Sequence, residues 1–520
     1  MTSPFAYSAM LSDCGSKHLA MYLAIREAIR QGKLSPGEKL PSTRQLAALY
    51  GLSRGSVSLA YEMLSAEGFV QAGVGRGTFV AGTAREETGA GYSSSGRDSD
   101  AGAAPKPPRL TKWGRRLQES HTAAQRTRPE FRPDRGNSAN EADAVSFVPA
   151  GLGPDRFPWQ EWKAEVAQQW KSLGASGAAD GHATEGSLAL RRAIAGRLRR
   201  ERGIPCREED IVITSGSMQA IALLAQLLLE EGKSAVIENP CYGGTRNAAR
   251  ATGAAIVAER TDGGGIVPRD WDAALLFVTP TRHFPTGAVL SYERRLSLLA
   301  WASRRNAWIV EDDYDSDFRW GGRPIEPLKA LDREGRVVYV GTFSRSMSAS
   351  LRIGFAVVPK ELMQPFLLAK KLYDPYPTGM AEQQALASWM SSGGYDRHMR
   401  KMRRVLGKLE NKLRSRLAAD LQGLFTALPS DAGLHVYARW EGSDEGYSRL
   451  FEECSRRGAE WKDGAGYDIP AGEKPPPSAL FGFAHLNERQ IEDGIRRIRQ
   501  AALALGELSA SPEQGGYVHD

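Results

Sequence analysis

The sequence predicts an α/β protein in two parts: a small helical module, then a large domain built on a mostly parallel sheet. At 520 residues the chain is too long for one core, since single cores stop growing at roughly 250–300 residues. Residues 17–82 are dense in helical patterns, whereas residues 83–143 are rich in Gly, Ala, Ser, Pro and charge. From residue 144 to 507 buried-strand and helix patterns alternate. We therefore expect two domains joined by a flexible, basic linker.

The composition excludes several other classes of protein. With 41% hydrophobic and 25% charged residues, the chain is typical of folded globular proteins. Its four cysteines lack the spacing of a metal site or a disulfide framework. The N-terminus lacks the residue order of a signal peptide, and the most apolar stretch, Ala220–Leu229, is far shorter than the ~20 residues that cross a bilayer. We expect a cytoplasmic protein with no membrane partner and no metal.

The N-terminal part predicts a winged helix. A first helix is expected over residues 18–31, and Ser42 with Gln45 forms a capping box for a second. After a glycine turn, Ser53 can cap a third helix, and residues 69–80 predict a hairpin with a glycine-rich tip. A longer helix followed by two short ones across a glycine turn is the helix-turn-helix pattern.

Arginines lie at the places where such a module meets nucleic acid. The third helix begins with Ser53, Arg54, Gly55 and Ser56, which place short donors and a guanidinium at the end that enters a major groove. Arg44 lies in the first turn of the second helix, where backbone amides also favour a phosphate. Among the glycines of the hairpin tip, Arg76 suits a narrow minor groove.

The run from Gly32 to Val80 resembles the winged helix-turn-helix of GntR-type bacterial regulators almost throughout. The resemblance implies double-stranded operator DNA as partner. It assigns six residues to the interface: Arg44, Ser53, Arg54, Ser56, Arg76 and Gly77. The alternative is a winged helix that makes only protein contacts.

The linker carries much of the positive charge of the chain. Between Pro105 and Arg135 nine basic residues accompany three acidic ones, and the whole chain has a net charge of +7. Its proline content predicts little regular structure. Beside a DNA-binding module the segment could track phosphates and add salt-sensitive affinity. The other interpretation is that the charge only keeps the linker solvated.

In the large domain, five apolar runs are each followed by polar residues. Alternation of such runs with helices predicts a mostly parallel sheet, and the carboxyl ends of its strands are where ligands bind. The five runs are Ile211–Ile213, Ala235–Ile237, Leu275–Val278, Trp308–Val310 and Val337–Val340.

The polar residues after these runs match one cofactor chemistry. Ser215, Gly216 and Ser217 precede a helix and offer backbone donors and a hydroxyl to a phosphate. An Asp at a strand end can pair with a pyridinium nitrogen, and an Arg can bind a phosphate through two hydrogen bonds. From Val145 to about Leu505 the chain resembles fold-type I, pyridoxal-phosphate-dependent aminotransferases. With its GntR-type module it resembles the MocR subfamily of regulators.

The resemblance assigns a role to each candidate cofactor residue. Two serines would lie near the phosphate and an arginine would bind it, one tyrosine would stack on the ring, an aspartate would pair with the pyridine nitrogen, and a second tyrosine would reach the phenolic oxygen. In that order these residues are Ser217, Ser344, Arg352, Tyr242, Asp312 and Tyr314.

At one position the chain departs from the family. The family reads GTFSK where this chain reads GTFSR, so Arg345 replaces the lysine that forms the Schiff base. A guanidinium stays protonated, with a pKa above ~12, and is no amine nucleophile. The resemblance therefore implies that pyridoxal phosphate, if bound at all, is held non-covalently, and that no residue is catalytic. We interpret Arg345 as a cation that helps hold this cofactor or another acidic ligand; the alternative is an arginine that fills a dead pocket.

Two further departures surround the same pocket. Residues 281–287 replace the family loop SHQ-x-P-x-G, and Ser478–Ala484 lacks the arginine that would hold a substrate carboxylate. These changes fit either drift after loss of a ligand or retuning toward another. Because Asp312, Tyr314 and Arg352 are present, we favour retuning.

These observations favour a DNA-binding transcriptional regulator whose large domain senses a small molecule and dimerises. The expected effector is a vitamin B6 vitamer or an acidic metabolite. A homodimer is implied by the resemblance, since fold-type I subunits share active sites. The alternatives are a working aminotransferase with a DNA-binding arm, and a ligand-free dimerisation scaffold. The run around His398 and Arg400 is interpreted as a solvated basic helix face.

Overall fold

The computed structural model describes residues 5–73, 76–81, 109–126, 144–176, 184–320, 325–470 and 475–508. The chain divides into two compact units, Met1–Pro107 and Pro108–Asp520. Within the described ranges no helix has the length and apolar character needed to cross a membrane.

The N-terminal unit has the predicted three helices and hairpin, preceded by one helix that was not predicted. Its elements are α1 (Tyr7–Cys14), α2 (Lys17–Arg30), α3 (Thr43–Tyr50), α4 (Arg54–Ala66), β1 (Val70–Gly73) and β2 (Gly77–Val80). Phe5 and Tyr7 pack against Tyr50, with ring centroids 6.2 and 5.3 Å apart. Residues before 17, where we placed the domain boundary, therefore belong to the same core.

The C-terminal unit is a large α/β body. Its helices are α5 (Lys112–Arg126), α6 (Trp159–Ser176), α7 (Leu188–Arg197), α8 (Ser217–Leu228), α9 (Gly243–Thr252), α10 (Tyr292–Arg305), α11 (Leu328–Leu331), α12 (Lys360–Tyr373), α13 (Met380–Ser391), α14 (Gly394–Asp420), α15 (Asp444–Arg456) and α16 (Glu488–Ala504). Its strands are β3 (Val145–Ser146), β4 (Ile211–Thr214), β5 (Ser234–Asn239), β6 (Ala255–Asp262), β7 (Gly265–Ile266), β8 (Leu275–Val278), β9 (Trp308–Asp313), β10 (Val337–Thr342), β11 (Gly354–Val357), β12 (Phe425–Ala427), β13 (His435–Trp440), β14 (Ala459–Glu460), β15 (Lys462–Asp463) and β16 (Ser478–Gly482).

Eight strands form the main sheet, in the order β4-β11-β10-β9-β8-β5-β6-β7. The neighbours β10, β9, β8, β5 and β6 pair in parallel, while β11 runs antiparallel to both β10 and β4. All five predicted strands are present, and the prediction of a mostly parallel sheet is confirmed. Because β11 is reversed, its first residues lie at the edge where the parallel strands end. Arg352, just before β11, therefore joins the residues that follow the other strands.

The prediction of a linker without regular structure is wrong over Lys112–Arg126, which form α5 and contact α9. The Arg116 guanidinium donates to the Ala251 carbonyl at the end of α9 and pairs with Glu231, which also pairs with Lys112 at 3.1 Å. A Cβ at Gly253 would approach Arg116 Cζ to 2.6 Å. A cation at the carbonyl end of a helix is favourable, so tertiary contacts stabilise a segment whose average composition favours disorder.

Candidate functional site

A cavity of about 260 Å³ lies at the carboxyl edge of the main sheet. Strand order brings together side chains that are far apart in sequence, because parallel strands end at one edge. The cavity wall contains all seven predicted cofactor residues: Ser217, Tyr242, Asp312, Tyr314, Ser344, Arg345 and Arg352.

One corner of the cavity, which we call the phosphate corner, brings together the kinds of donor that bind phosphate in proteins. Gly216, with φ +86°, turns the chain into α8, so that the first amides of the helix point outward. Arg352 Nη2 donates to the Ser215 carbonyl at 3.0 Å, and a Cβ at Gly216 would lie 2.5 Å from Nη2. Ser344 Oγ is buried and has no hydrogen-bond partner within the described residues. The corner therefore offers a guanidinium, helix amides and the hydroxyls of Ser217 and Ser344 to one anion.

Asp312 lines the cavity from the carboxyl end of β9. Along β9 side chains alternate, so Glu311 and Asp313 face away from Asp312. Asp312 Oδ1 is buried and unpartnered within the part of the chain that the structure describes. Burial, and secondarily Asp313, raises the pKa of Asp312 to about 7, while Arg345 opposes the rise. A ring N–H would supply the missing donor, so these residues fit a pyridine ring.

Arg282, from the loop that departs from the family, holds Tyr314. Its Nη1 donates to Tyr314 Oη at 2.8 Å and to Asp315 at 3.0 Å, and its Nη2 donates to the His435 carbonyl at 3.0 Å. Because a guanidinium has no acceptor, Tyr314 must accept from it. The hydroxyl proton of Tyr314 therefore remains for another oxygen, which agrees with the predicted contact to a phenolic oxygen.

Two aromatic rings form part of the cavity wall. Tyr242 precedes α9 and its ring makes an edge contact with Phe284, with centroids 5.8 Å apart. Phe284 in turn contacts Tyr314 edge-on at 5.6 Å. A Cβ at Gly244 would lie 2.5 Å from Tyr242 Cε1, so the missing side chain makes room for this ring. Tyr242 is 42% exposed, which leaves its face free to stack on a ligand.

Arg345 lines this cavity and also a smaller one of about 40 Å³ behind it. The smaller cavity contains three aspartates, each paired with its own arginine. The pairs are Arg202–Asp313 at 3.2 Å, Arg197–Asp317 at 2.8 Å and Arg282–Asp315 at 3.0 Å. Among the described residues none forms an ion pair with Arg345. Its charge instead opposes the rise in the pKa of Asp312 and of Asp315.

The sequence-based assignment missed Glu238, which also lines the cavity. Its carboxyl accepts hydrogen bonds from Thr279 N at 2.9 Å and Thr279 Oγ1 at 2.6 Å. Burial raises the pKa of Glu238 to about 8, which favours the protonated form at neutral pH. Its place near the end of β5 matches that of Asp312 near the end of β9, and this position in a parallel sheet is a signal that could have found it.

In the N-terminal unit the structure separates the predicted DNA contacts into two groups. Arg44 and Arg54 are exposed in the first turns of α3 and α4. Ser53 Oγ accepts from the Ser56 amide at 3.1 Å, and the two hydroxyls lie 2.8 Å apart. Ser53 therefore caps α4, as predicted, and Arg54 is the first residue of the capped helix.

The hairpin tip places Arg76 in solvent. Gly77, with φ +107°, follows it, and a Cβ there would lie 2.8 Å from Lys39 Cε. Lys39 Nζ lies over the Phe79 ring, 5.8 Å from its centroid. Gly77 therefore shapes the hairpin, and Lys39 is a cation beside Arg76 that the sequence did not single out.

Comparison with known proteins agrees with both sites. Residues 18–80 match the family "Bacterial regulatory proteins, gntR family", and residues 153–456 match "Aminotransferase class I and II". The probable rhizopine catabolism regulatory protein MocR of Rhizobium meliloti is 32% identical over 504 residues, which are 95% of each chain. The chain belongs to the MocR-type GntR regulators. This confirms the predicted fold and family, and the GntR module of a MocR-type regulator implies binding to DNA.

A second regulator and a solved aminotransferase structure are also similar to this MocR-type chain. The pyridoxine biosynthesis transcriptional regulator PdxR of Corynebacterium glutamicum is 30% identical, over 79% of this chain and 81% of its own. Among solved structures, the alpha-aminoadipate aminotransferase of Thermus thermophilus, complexed with N-(5'-phosphopyridoxyl)-L-leucine, has a TM-score of 0.64. It is 24% identical and covers 77% of this chain and 98% of its own. This likeness shows the aminotransferase fold.

Proposed function

We propose that this regulator binds a pyridoxal-type phosphate ligand non-covalently as its effector and has no aminotransferase activity. The proposal rests on Arg345, which by the sequence resemblance replaces the Schiff-base lysine, and which lines the cavity together with buried atoms of Asp312 and Ser344 that lack partners among the described residues. Bound there, a pyridoxal ring would supply an electron sink. A guanidinium can hold the ligand but cannot form the covalent bond or act as the amine base.

Three features favour a bound ligand over a dead pocket. The phosphate corner retains Arg352, Gly216 and the start of α8 in contact. Arg282, which also donates to Asp315, donates a hydrogen bond to Tyr314 and so holds this side chain in position. Burial of the Asp312 carboxyl lowers the stability of the fold unless a hydrogen-bond donor reaches it, and a ligand that supplies this donor would offset the cost.

Arg345 also admits a second ligand class. With Arg352 it gives the cavity two guanidinium groups, which suit an acidic metabolite through bidentate hydrogen bonds. The aromatic wall of Tyr242 and Phe284 and the unpartnered Asp312 Oδ1 favour the vitamer, since a pyridine ring can stack on one and donate to the other. Because the operator of a bacterial regulator lies in the cytoplasm, we place the protein there.

A homodimer is part of the proposal. Leu368, Leu372, Tyr373 and Tyr376 form an exposed apolar group, each 59% exposed or more. Tyr373 bonds Gln226 of α8 at 3.0 Å, so the group lies close to the helix that opens the phosphate corner. A second copy would cover this group, and fold-type I subunits share their active sites. Sedimentation velocity of the full chain tests the dimer.

The test compares an aldehyde ligand with its amine. Purified full-length protein is mixed with pyridoxal phosphate or with pyridoxamine phosphate, and thermal unfolding is recorded. Without a covalent bond to the aldehyde, we expect both to raise the Tm and to have affinities within about tenfold; a ligand at 100 times its Kd adds about 2.7 kcal/mol. Borohydride treatment should leave the mass of the protein unchanged.

Two variants make this measurement specific. Arg352→Gln removes the phosphate guanidinium and should abolish the shift in Tm, whereas Arg192→Gln, in the exposed Arg192–Glu208 pair, should keep it. A reduced adduct on any lysine, or transfer of amino groups to 2-oxoglutarate, would contradict the proposal. No shift with either vitamer or with a dicarboxylate would favour the ligand-free scaffold, and a shift with the dicarboxylate alone would favour an acidic metabolite.

A further inference from the structure

Helix α14 carries an unbroken row of cations on its surface. Between Gly394 and Glu410 every exposed residue of α14 is an Arg or a Lys. We call these five residues the basic stripe: Arg397, Arg400, Lys401, Arg404 and Lys408. They are spaced by three or four positions or are adjacent, so they share one face, and they extend over about 17 Å.

The opposite face of this part of α14 is fixed in the core. Met399, Met402 and Leu406 are buried, and the buried His398 bonds the Ser346 carbonyl through Nε2 at 2.8 Å. The interpretation of His398 as part of a solvated face is therefore wrong, because this side chain faces the core. The position of Arg400 on that face agrees with the structure. The stripe consequently has a fixed orientation on a rigid helix.

The stripe lacks the counterions that neighbouring cations have. Within the described ranges none of its five members forms an ion pair, whereas Lys412 of the same helix pairs with Glu492 of α16. On α16, Arg496 and Arg497 both pair with Asp493. Like charges three or four residues apart on a helix repel each other. Because the five side chains are exposed, core packing does not account for like charges placed this close together.

We propose that the basic stripe binds the phosphodiester backbone of double-stranded DNA beside the operator. The inference rests on the proposed DNA-binding function and adds a second contact surface on the C-terminal unit. One strand of DNA places a charge about every 3.4 Å along the axis, so about 17 Å of stripe faces roughly five phosphates. A row of cations on a convex helix suits an extended polyanion, whereas a small anion needs a concave site.

The test removes three charges from the stripe in the full chain. Binding to a fluorescent 60-base-pair duplex of random sequence is measured by anisotropy between about 50 and 200 mM KCl. For Arg400→Gln/Arg404→Gln/Lys408→Gln we expect the slope of log K against log salt to fall by about 2–3, since each phosphate contact contributes about 0.9. Affinity at about 100 mM KCl should fall at least tenfold.

A matched variant controls for net charge. Arg489→Gln/Arg496→Gln/Arg499→Gln removes the same charge from exposed positions of α16 in the same unit. It should keep the slope of the wild type. Equal slopes for the wild type and the stripe variant would overturn the proposal, and so would equal losses in both triple variants. Circular dichroism melts confirm that each variant is folded.

A third variant separates this inference from the function on which it rests. Arg54→Ala should weaken DNA binding by the N-terminal module. In this background the stripe substitutions should lower the salt slope by the same amount as they do in the otherwise wild-type chain. If Arg54→Ala has no effect but the stripe variant does, the predicted operator interface is wrong and the stripe stands. If the wild-type chain binds no duplex, both proposals are overturned.

Discussion

The N-terminal module presents its predicted anion contacts in solvent, whereas the cavity contains polar atoms that are buried and unpaired within the described residues. Arg44 and Arg54 are exposed, and the helices behind them are closed by their own serine caps. In the cavity, Asp312 Oδ1 and Ser344 Oγ are buried without partners in the described part of the chain. The module is therefore complete before it meets DNA, while the cavity lacks hydrogen bonds that a ligand would supply. Ligand occupancy should change the stability of the C-terminal unit and leave the N-terminal unit unaffected.

The largest expected effect comes from returning an amine to the cavity. In Arg345→Lys the side chain can lose its proton and attack an aldehyde, which the guanidinium of the wild type cannot do. We expect the variant to acquire the absorption band of a Schiff base with pyridoxal phosphate, and the wild type to show none. Borohydride reduction and peptide mass spectrometry should place the adduct at position 345.

The control for this variant is Arg345→Gln, which removes the charge without adding an amine. It should show no band and should bind pyridoxamine phosphate more weakly than the wild type. A band in the wild type, or an adduct elsewhere in Arg345→Lys, would remove the contrast between a lysine pocket and an arginine pocket.

A smaller effect concerns pH. Burial raises the pKa of Asp312 to about 7 from an ordinary value of 3.8, so the folded chain holds a proton that the unfolded chain loses between these values. The free energy of unfolding therefore falls as pH rises through this window, and the loss is complete above about 7. Asp312→Asn removes this contribution. Without ligand, we expect the variant to gain a few degrees in Tm over the wild type at pH 8 and little at pH 4.

Pyridoxamine phosphate should favour the wild type over Asp312→Asn at pH 8. A protonated ring nitrogen pairs with the charged Asp312 but gains no ion pair from an Asn. The ligand should therefore raise the Tm of the wild type at pH 8 more than that of the variant. If the gain of the variant is the same at pH 4 and pH 8, Asp312 does not carry the unfavourable charge.

The smallest effect tests the completeness of the N-terminal module. Ser53 Oγ accepts the Ser56 amide at the start of α4, and loss of such a cap costs about 1 kcal/mol. We expect Ser53→Ala to lower the unfolding free energy of this unit by that amount and to weaken DNA binding, while the affinity of the cavity for pyridoxamine phosphate stays unchanged. A change in ligand affinity would show that the two regions are coupled.

Local signals explain what the sequence could predict. The capping box of Ser42 and Gln45 depends on residues three apart, and it is present in the structure. A buried strand followed by polar residues identifies the ligand edge of a parallel sheet, and the family resemblance then selected Asp312 among the residues at that edge. The replacement of the Schiff-base lysine by Arg345 is likewise inferred from one position in a family pattern, and the loss of aminotransferase activity stays a prediction.

Contacts between distant segments explain what the sequence could not predict. Arg282 and Tyr314 are 32 residues apart, and no periodicity connects them. The residues of α5 are polar on average, and only the carbonyl end of α9 and Glu231 show why they are helical. Helix α1 is likewise fixed by the ring of Tyr50.

The docking of α5 on α9 decides where the C-terminal half could be cut for separate expression. A fragment that begins at residue 144, where the sequence pattern resumes, would lose Arg116 and Lys112 and leave Glu231 without either cation. A fragment that begins at Pro108, where the two units divide, would retain both ion pairs and the cover over Gly253. The longer fragment is therefore the one whose surface matches that of the intact chain.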